Sequence, residues 1–174
     1  MHVIEIRELT ASELGLATDI DVTEDGAIVL EQRGTEVAHR AEGWHRPPRS
    51  PGRWAEFEER WSTFIPAAGC ALGAFDGERM VGIATLRRAV RPGVDQLEAL
   101  FVDRAHRRMG VATALVAGIE ERARAGGARW LYVSATPSES AVGLYRSRGF
   151  TPTDDPIPEL LALEPEDIHM VLGL

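Results

Sequence analysis

The 174-residue chain has no lysine, a single cysteine and no long apolar run, and each absence removes a class of function. All 19 basic residues are arginine, set against 27 acidic ones for a formal charge of -8. An extended basic footprint for nucleic acid is therefore excluded. The acidic balance favours solubility and suits cationic partners. Cys70 alone can form neither an intramolecular disulfide nor a cysteine metal cluster, and the histidines show no metal-ligand spacing, so no metal is expected. No apolar stretch approaches the ~20 residues of a membrane span, and the charged opening MHVIEIREL lacks a secretory pattern. The expectation is a soluble, cytoplasmic protein with no membrane partner, folded as one domain over residues 1–174.

What is present alternates between strand and helix signals. VIEIREL has the two-residue period of a half-buried strand, and TASELGLAT opens with a helix-start signal. AIVLEQRG and TEVAHRAEGW predict a hairpin around Arg33 and Gly34, while HRPPRSPGR reads as loop. Trp54, Phe57, Trp61 and Phe64 recur at helical spacing, which predicts an amphipathic helix over 51–64. CALGAFD, GERMVGIATLRRAV and DQLEALFVD read as an antiparallel meander, the first pair turning at Asp76 and Gly77. A helix follows from Gly110 to the Gly126–Gly127 stop, then the buried strand ARWLYVSA and a short helix capped by Ser138. The acidic, proline-bearing TPTDDPIPELL connects to a last strand, HMVLGL. This order predicts a mixed α/β fold with a mostly antiparallel sheet.

The stretch LFVDRAHRRMGVATAL carries the sharpest chemical signal. A strand ends near Val102, a loop brings Arg107 and Arg108, and Gly110 precedes a helix whose first N–H groups have no partners within the helix. That arrangement suits a pyrophosphate, with guanidinium groups adding charge-assisted bonds. It is neither a Walker loop nor a GxGxxG turn.

These residues resemble the pyrophosphate loop of the GNAT superfamily, the GCN5-related N-acyltransferases, whose pattern is Arg/Gln-x-x-Gly-x-Gly/Ala. Arg107, Gly110 and Ala112 occupy its three defined positions. LEALFV resembles the family's fourth strand, and TPSESAVGLYRSRGF its closing strand, helix and Gly-Phe segment. Roughly residues 70 to 151 carry the likeness, and residues 1–69 follow it only in element order. The resemblance implies about seven strands flanked by about four helices, and acetyl-CoA as cosubstrate.

It also implies roles for individual residues. Leu100, Phe101 and Val102 would offer backbone groups to the pantetheine arm, as a peptide adds to a sheet edge. Arg107, Arg108, Met109, Gly110, Val111, Ala112 and Thr113 would hold the pyrophosphate, mainly through main-chain N–H groups. Tyr145, one helical turn after Ala141, matches the family's general acid, and a phenol with a pKa of about 10 can protonate a departing thiolate. Ser138 stands where the family often has Asn, so one cofactor contact differs. An ammonium must lose a proton before it attacks a thioester, and Glu98 is the candidate base. Lying two residues before Leu100, it is expected on that residue's face of the strand among apolar neighbours.

The acceptor site of this family is shaped by its first helices, here residues 19–64. Asp19, Asp21, Glu24, Asp25, Trp44, Trp54 and Trp61 lie in that segment and suit an ammonium. Cys70 is not required as an acyl carrier and reads as a buried strand residue. The reading is direct N-acetyl transfer to a small-molecule amine, in an enzyme that forms a homodimer if it follows many family members. The alternatives are acetylation of a protein amine and a CoA-binding sensor without chemistry.

Overall fold

A computed structural model describes residues 3–174; Met1 and His2 of the charged opening lie outside the described residues. The chain runs β1 (Glu5–Glu8), a 3-10 helix (Ala11–Asp19), β2 (Glu24–Arg33), β3 (Glu36–Arg46) and α1 (Pro51–Phe64). It continues with β4 (Cys70–Asp76), β5 (Arg79–Arg91), β6 (Val94–Val102), a short 3-10 turn (Arg104–His106) and α2 (Val111–Ala125). Last come β7 (Trp130–Ala135), α3 (Glu139–Ser147), β8 (Thr151–Pro152), α4 (Pro158–Leu163) and β9 (Ile168–Gly173).

Seven strands form one sheet in the order β1-β4-β5-β6-β7-β9-β8, antiparallel throughout except where β6 meets β7. This is the mixed α/β architecture that the element order predicts. Strands β2 and β3 form a separate two-stranded sheet, longer than the hairpin expected from sequence. The Pro-rich tract TPTDDPIPELL, expected only as a connection, contains β8 and the start of α4. Ile157 and Leu160 are buried beside Tyr132, and Pro158 starts the helix where its missing N–H costs nothing.

Two apolar clusters sandwich the sheet. On one side Leu115, Val116, Ile119 and Ala123 of α2 and Val142 and Tyr145 of α3 pack against Leu72, Ala84, Leu86 and Leu97. On the other, Trp54 and Trp61 of α1 and Leu14 and Ala17 of the first 3-10 helix cover Ala71, Ile83 and Ala99. The helical spacing of tryptophans thus faces this second core, and Ser50 caps α1 by accepting from the Arg53 N–H. Cys70 is buried at the start of β4, and burial pushes its thiol pKa up. No helix among the described residues is long and apolar enough to cross a membrane.

Asp103, at the end of β6, fastens the turn that follows. Its carboxylate is almost fully buried and accepts from Arg79, the backbone N–H groups of Asp21 and Ala105, and His106 Nδ1. These donors outweigh the burial that opposes its charge, and its pKa lies below the ordinary value. Arg79 is half-exposed and can return to water, whereas the two backbone donors cannot be replaced so easily. D103A is therefore expected to lose about 2–3 kcal/mol in urea unfolding, while R79A loses under about 1 kcal/mol. Equal losses would place the stabilisation in the ion pair instead.

Candidate active site

The site begins where β6 and β7 part. They share only three register pairs, Val94 with Trp130, Asp95 with Leu131 and Gln96 with Tyr132, and beyond these β6 has no ladder partner on that side. The gap opens into a cleft of about 1060 Å³ whose walls include Leu97 to Val102, Val133, Ser134 and one face of α3.

A bulge lies at the same point. In the pairing with β5, Thr85 faces Ala99 but Leu86 faces Leu97, leaving Glu98 as an extra residue. The extra residue shifts the alternation of the strand. Leu97 and Leu100 belong to the α2 side, whereas Ala99 and Phe101 pack on the α1 side. Glu98 goes with the latter, so the expectation that it shares a face with Leu100 is corrected. Its surroundings are also polar rather than apolar: Arg60 Nη2 lies 2.6 Å from Oε1, while Trp61 Nε1 donates at 2.8 Å and Thr85 Oγ1 at 2.9 Å to Oε2.

At the far end of the cleft, α2 begins without a side-chain cap. Gly110 occupies the N-cap with φ +82, and Arg108 also has positive φ. The first bond of the helix runs from Ala114 N–H to the Gly110 carbonyl, so the N–H groups of Val111, Ala112 and Thr113 have no partner within it. Arg107, Arg108, Gly110, Ala112 and Thr113 line the cleft. Met109 points out, 58% exposed, and Val111 is buried in the core, so these two can contribute only backbone groups. The guanidinium of Arg107 turns inward, donating to the carbonyls of Val102 and Thr23. Arg108 makes no such internal bond among the described residues and remains available to an anion.

Helix α3 brings Ser138, Ala141, Leu144 and Tyr145 to the cleft. Ser138 accepts from Ala141 N–H at 3.3 Å as the expected cap. Tyr145 is 5% exposed and stacks edge-on against Phe150; burial, then the charge of Asp167, pushes its phenol pKa up. It is therefore protonated at neutral pH.

The sequence reading missed Glu164 and Asp167, which reach the same cleft from the segment between α4 and β9. Burial, followed by the charge of Glu164, pushes the Asp167 pKa up to about 7. Burial raises Glu164 as well, opposed by a hydrogen bond from Ser134. This segment is held by a neutral imidazole: His169 Nε2 donates to the Glu164 carbonyl at 3.0 Å, so Nδ1 accepts from Tyr132 Oη at 2.6 Å. Burial lowers the His169 pKa, consistent with that neutral form. In sequence, the run of acids in LEPEDIH directly before an apolar strand is the signal for these residues.

The acidic and aromatic residues expected around an acceptor are otherwise occupied. Asp21 accepts from Thr23, Glu24 from Arg46 and Ser140, and Asp25 pairs with His45. Trp54 and Trp61 are core residues, and Trp44 donates to the Ile28 carbonyl. Of the expected set, Glu24 still lines the cleft, together with Arg46, Arg49, Arg53, Phe57 and Arg60. No group of three or more His, Cys, Asp or Glu placed to hold a metal occurs among the described residues.

A family model described as "Acetyltransferase (GNAT) family" matches residues 35–150. No curated protein matches the chain. Among solved structures, nourseothricin acetyltransferase is 17% identical with a TM-score of 0.75, covering 98% of each chain. A protein assigned as a streptothricin acetyltransferase, from Bacillus anthracis and in complex with acetyl coenzyme A, is 17% identical with a TM-score of 0.74. That alignment covers 99% of this chain and 100% of the other. The ribosomal-protein-S18-alanine N-acetyltransferase of Escherichia coli is 18% identical at a TM-score of 0.64, covering 98% and 94%. At these identities the likeness is one of fold.

An anion at the open helix start would meet the unpaired backbone N–H groups of Val111, Ala112 and Thr113. A side chain at Gly110 meets no atom within 4 Å, so its penalty comes from φ alone. G110V is expected to weaken CoA binding by about tenfold or more in calorimetric titration, because left-handed backbone costs a β-branched residue roughly 1–2 kcal/mol. R108A is expected to weaken it less; a larger loss from R108A would give the arginine the leading part.

Proposed function

The chain belongs to the GNAT acetyltransferase family and uses acetyl-CoA as cosubstrate, and we propose that, folded as one domain over residues 1–174, it transfers the acetyl group directly to a primary amine of a small molecule. The observation that carries this reading is the cleft itself, open to the α2 N-terminus at one end and walled at the other by β3, α1 and the Glu164–Asp167 segment. A cleft lined there by side chains of both charges suits a small polar acceptor. The nourseothricin and streptothricin acetyltransferases lend support as small-molecule enzymes of like fold.

In this reading the pyrophosphate sits on the N–H groups of Val111 to Thr113, and the pantetheine pairs with the free edge of Leu100, Phe101 and Val102. Ser138 is committed to its helix and offers the pantetheine only its remaining capacity. The thioester carbonyl meets backbone N–H groups at the Glu98 bulge, which stabilise the developing oxyanion. The amine nitrogen attacks that carbon, the N–C bond forms, and the C–S bond breaks. Tyr145 hydrogen-bonds the departing sulfur and supplies its proton.

Two carboxylates compete to take the proton from nitrogen. Glu98 already accepts from Arg60, Trp61 and Thr85, which leaves it one acceptor position, on Oε1. Asp167 lies beside Tyr145 and titrates at about 7, the range a base needs at neutral pH. We therefore assign Asp167 as base and Glu98 as the group that holds Arg60 and the bulge in place, with Glu98 as base the second reading.

The sign follows directly. The base must be ionised, so kcat/KM rises with pH through about 7 and falls roughly tenfold per unit below it. The substrate's own ammonium adds the same slope to every variant, so the comparison between variants is what discriminates. D167N is expected to lower kcat by about 10²-fold or more and to flatten this limb, while E98Q keeps it. A limb lost in E98Q and intact in D167N would return the base to Glu98. Y145F is expected to lower kcat without changing CoA affinity.

A further inference from the structure

Four arginines line the acceptor end of the cleft, and they differ in what they hold. Arg46 is bonded to Glu24, Arg53 to Glu56 and Arg60 to Glu98. Arg49 pairs with no carboxylate among the described residues. Its guanidinium carbon lies 4.6 Å from the ring centre of Phe57, 4.8 Å from Phe101 and 5.3 Å from Trp54. Its Nε is buried without a hydrogen-bond partner, and so is that of Arg60.

Such a group is anomalous on physical grounds. The ring faces offset part of the lost hydration of the cation. They accept no N–H bond in the plane of the guanidinium, and a buried donor left unmade is destabilising. Burial, then repulsion from Arg53, Arg46 and Arg60, pulls the Arg49 pKa down to about 10, which still leaves it charged at neutral pH. A partly buried cation that is packed on three rings and has no carboxylate partner suits an anion, and its planar fork matches a carboxylate.

Resting on the proposed acetyl transfer, we infer that the acceptor is an amine that also carries a carboxylate, and that Arg49 binds that carboxylate. The acidic lining agrees with this polarity. Glu164, Glu166 and Asp167 line the same cleft and suit the amine end. Their presence also argues against a dianionic phosphate, since only one arginine of the cluster lacks a carboxylate partner. Arg49 sits in the tract HRPPRSPGR, where sequence reading saw only loop.

The test uses ω-aminocarboxylates of increasing length, each matched to the plain alkylamine of the same length, with phosphoethanolamine against ethanolamine as the phosphate arm. With acetyl-CoA saturating, the wild type is expected to prefer the best carboxylate over its matched amine by about tenfold or more in kcat/KM. R49M is expected to erase that preference by raising KM for the aminocarboxylate far more than for its matched amine. R49K, which keeps the charge without the fork, is expected to retain part of it. A preference for plain amines, for the phosphate arm, or one unaffected by R49M, would overturn the inference. A second readout does not need turnover: the Arg49 Nε–H resonance of the CoA-bound wild type is expected to shift with an aminocarboxylate and not with an alkylamine. A shift without turnover of any amine would contradict the transferase reading and leave the anion site standing. No shift with any carboxylate would remove the site, whatever the kinetics.

Discussion

The parting of β6 from β7 is the constraint from which the site follows. Parallel strands normally stay hydrogen-bonded along their shared length, yet these two separate after Gln96 and Tyr132. The bulge at Glu98 adds to that separation, because an extra residue bends and twists the strand that carries it. One short run of backbone therefore lacks ladder partners on one side, faces a cleft and carries a shifted set of side chains. The open start of α2 and the Ser138–Tyr145 face of α3 border the same gap.

Each side of the gap is fastened separately. Near the α2 start, Asp103 ties the end of β6 to Arg79, Asp21 and the turn that follows. Near α3, Ile157 N–H, Tyr132 Oη, His169 and the Glu164 carbonyl form one hydrogen-bonded chain that holds the acidic segment. The hairpin of β2 and β3 fastens to the second side: Gln32 bonds the backbone at Thr153 and His169, and Leu30 N–H bonds the Pro137 carbonyl. In a chain without lysine, arginine supplies the cation of most ion pairs. Arg49 differs in being packed on three rings with its Nε buried and unpartnered.

The sequence made much of this legible because periodicity reports directly on burial. The apolar face of α2, the tryptophan spacing of α1, the meander and the glycine before α2 all correspond to observed elements. Three things escaped for physical reasons. The phase of β6 was read as an unbroken alternation, and a bulge leaves no mark in composition, so Glu98 was set on the wrong face. Asp167 and Glu164 carry no local signal of burial, because they follow α4, itself hidden in a proline-bearing tract. Arg49 lay in a loop whose aromatic surroundings come from α1 and β6, distant in sequence. Local pattern shows which residues repeat; it does not show what long-range packing brings beside them.

The central claim is that acetyl-CoA and amine meet in one cleft and that the acetyl group passes directly between them. Initial rates measured with both substrates varied test this most directly, joined to the intact mass of the protein after incubation with acetyl-CoA alone. Direct transfer predicts intersecting double-reciprocal lines and an unmodified chain, with Cys70 untouched in its core. Parallel lines with an acetylated protein would contradict it.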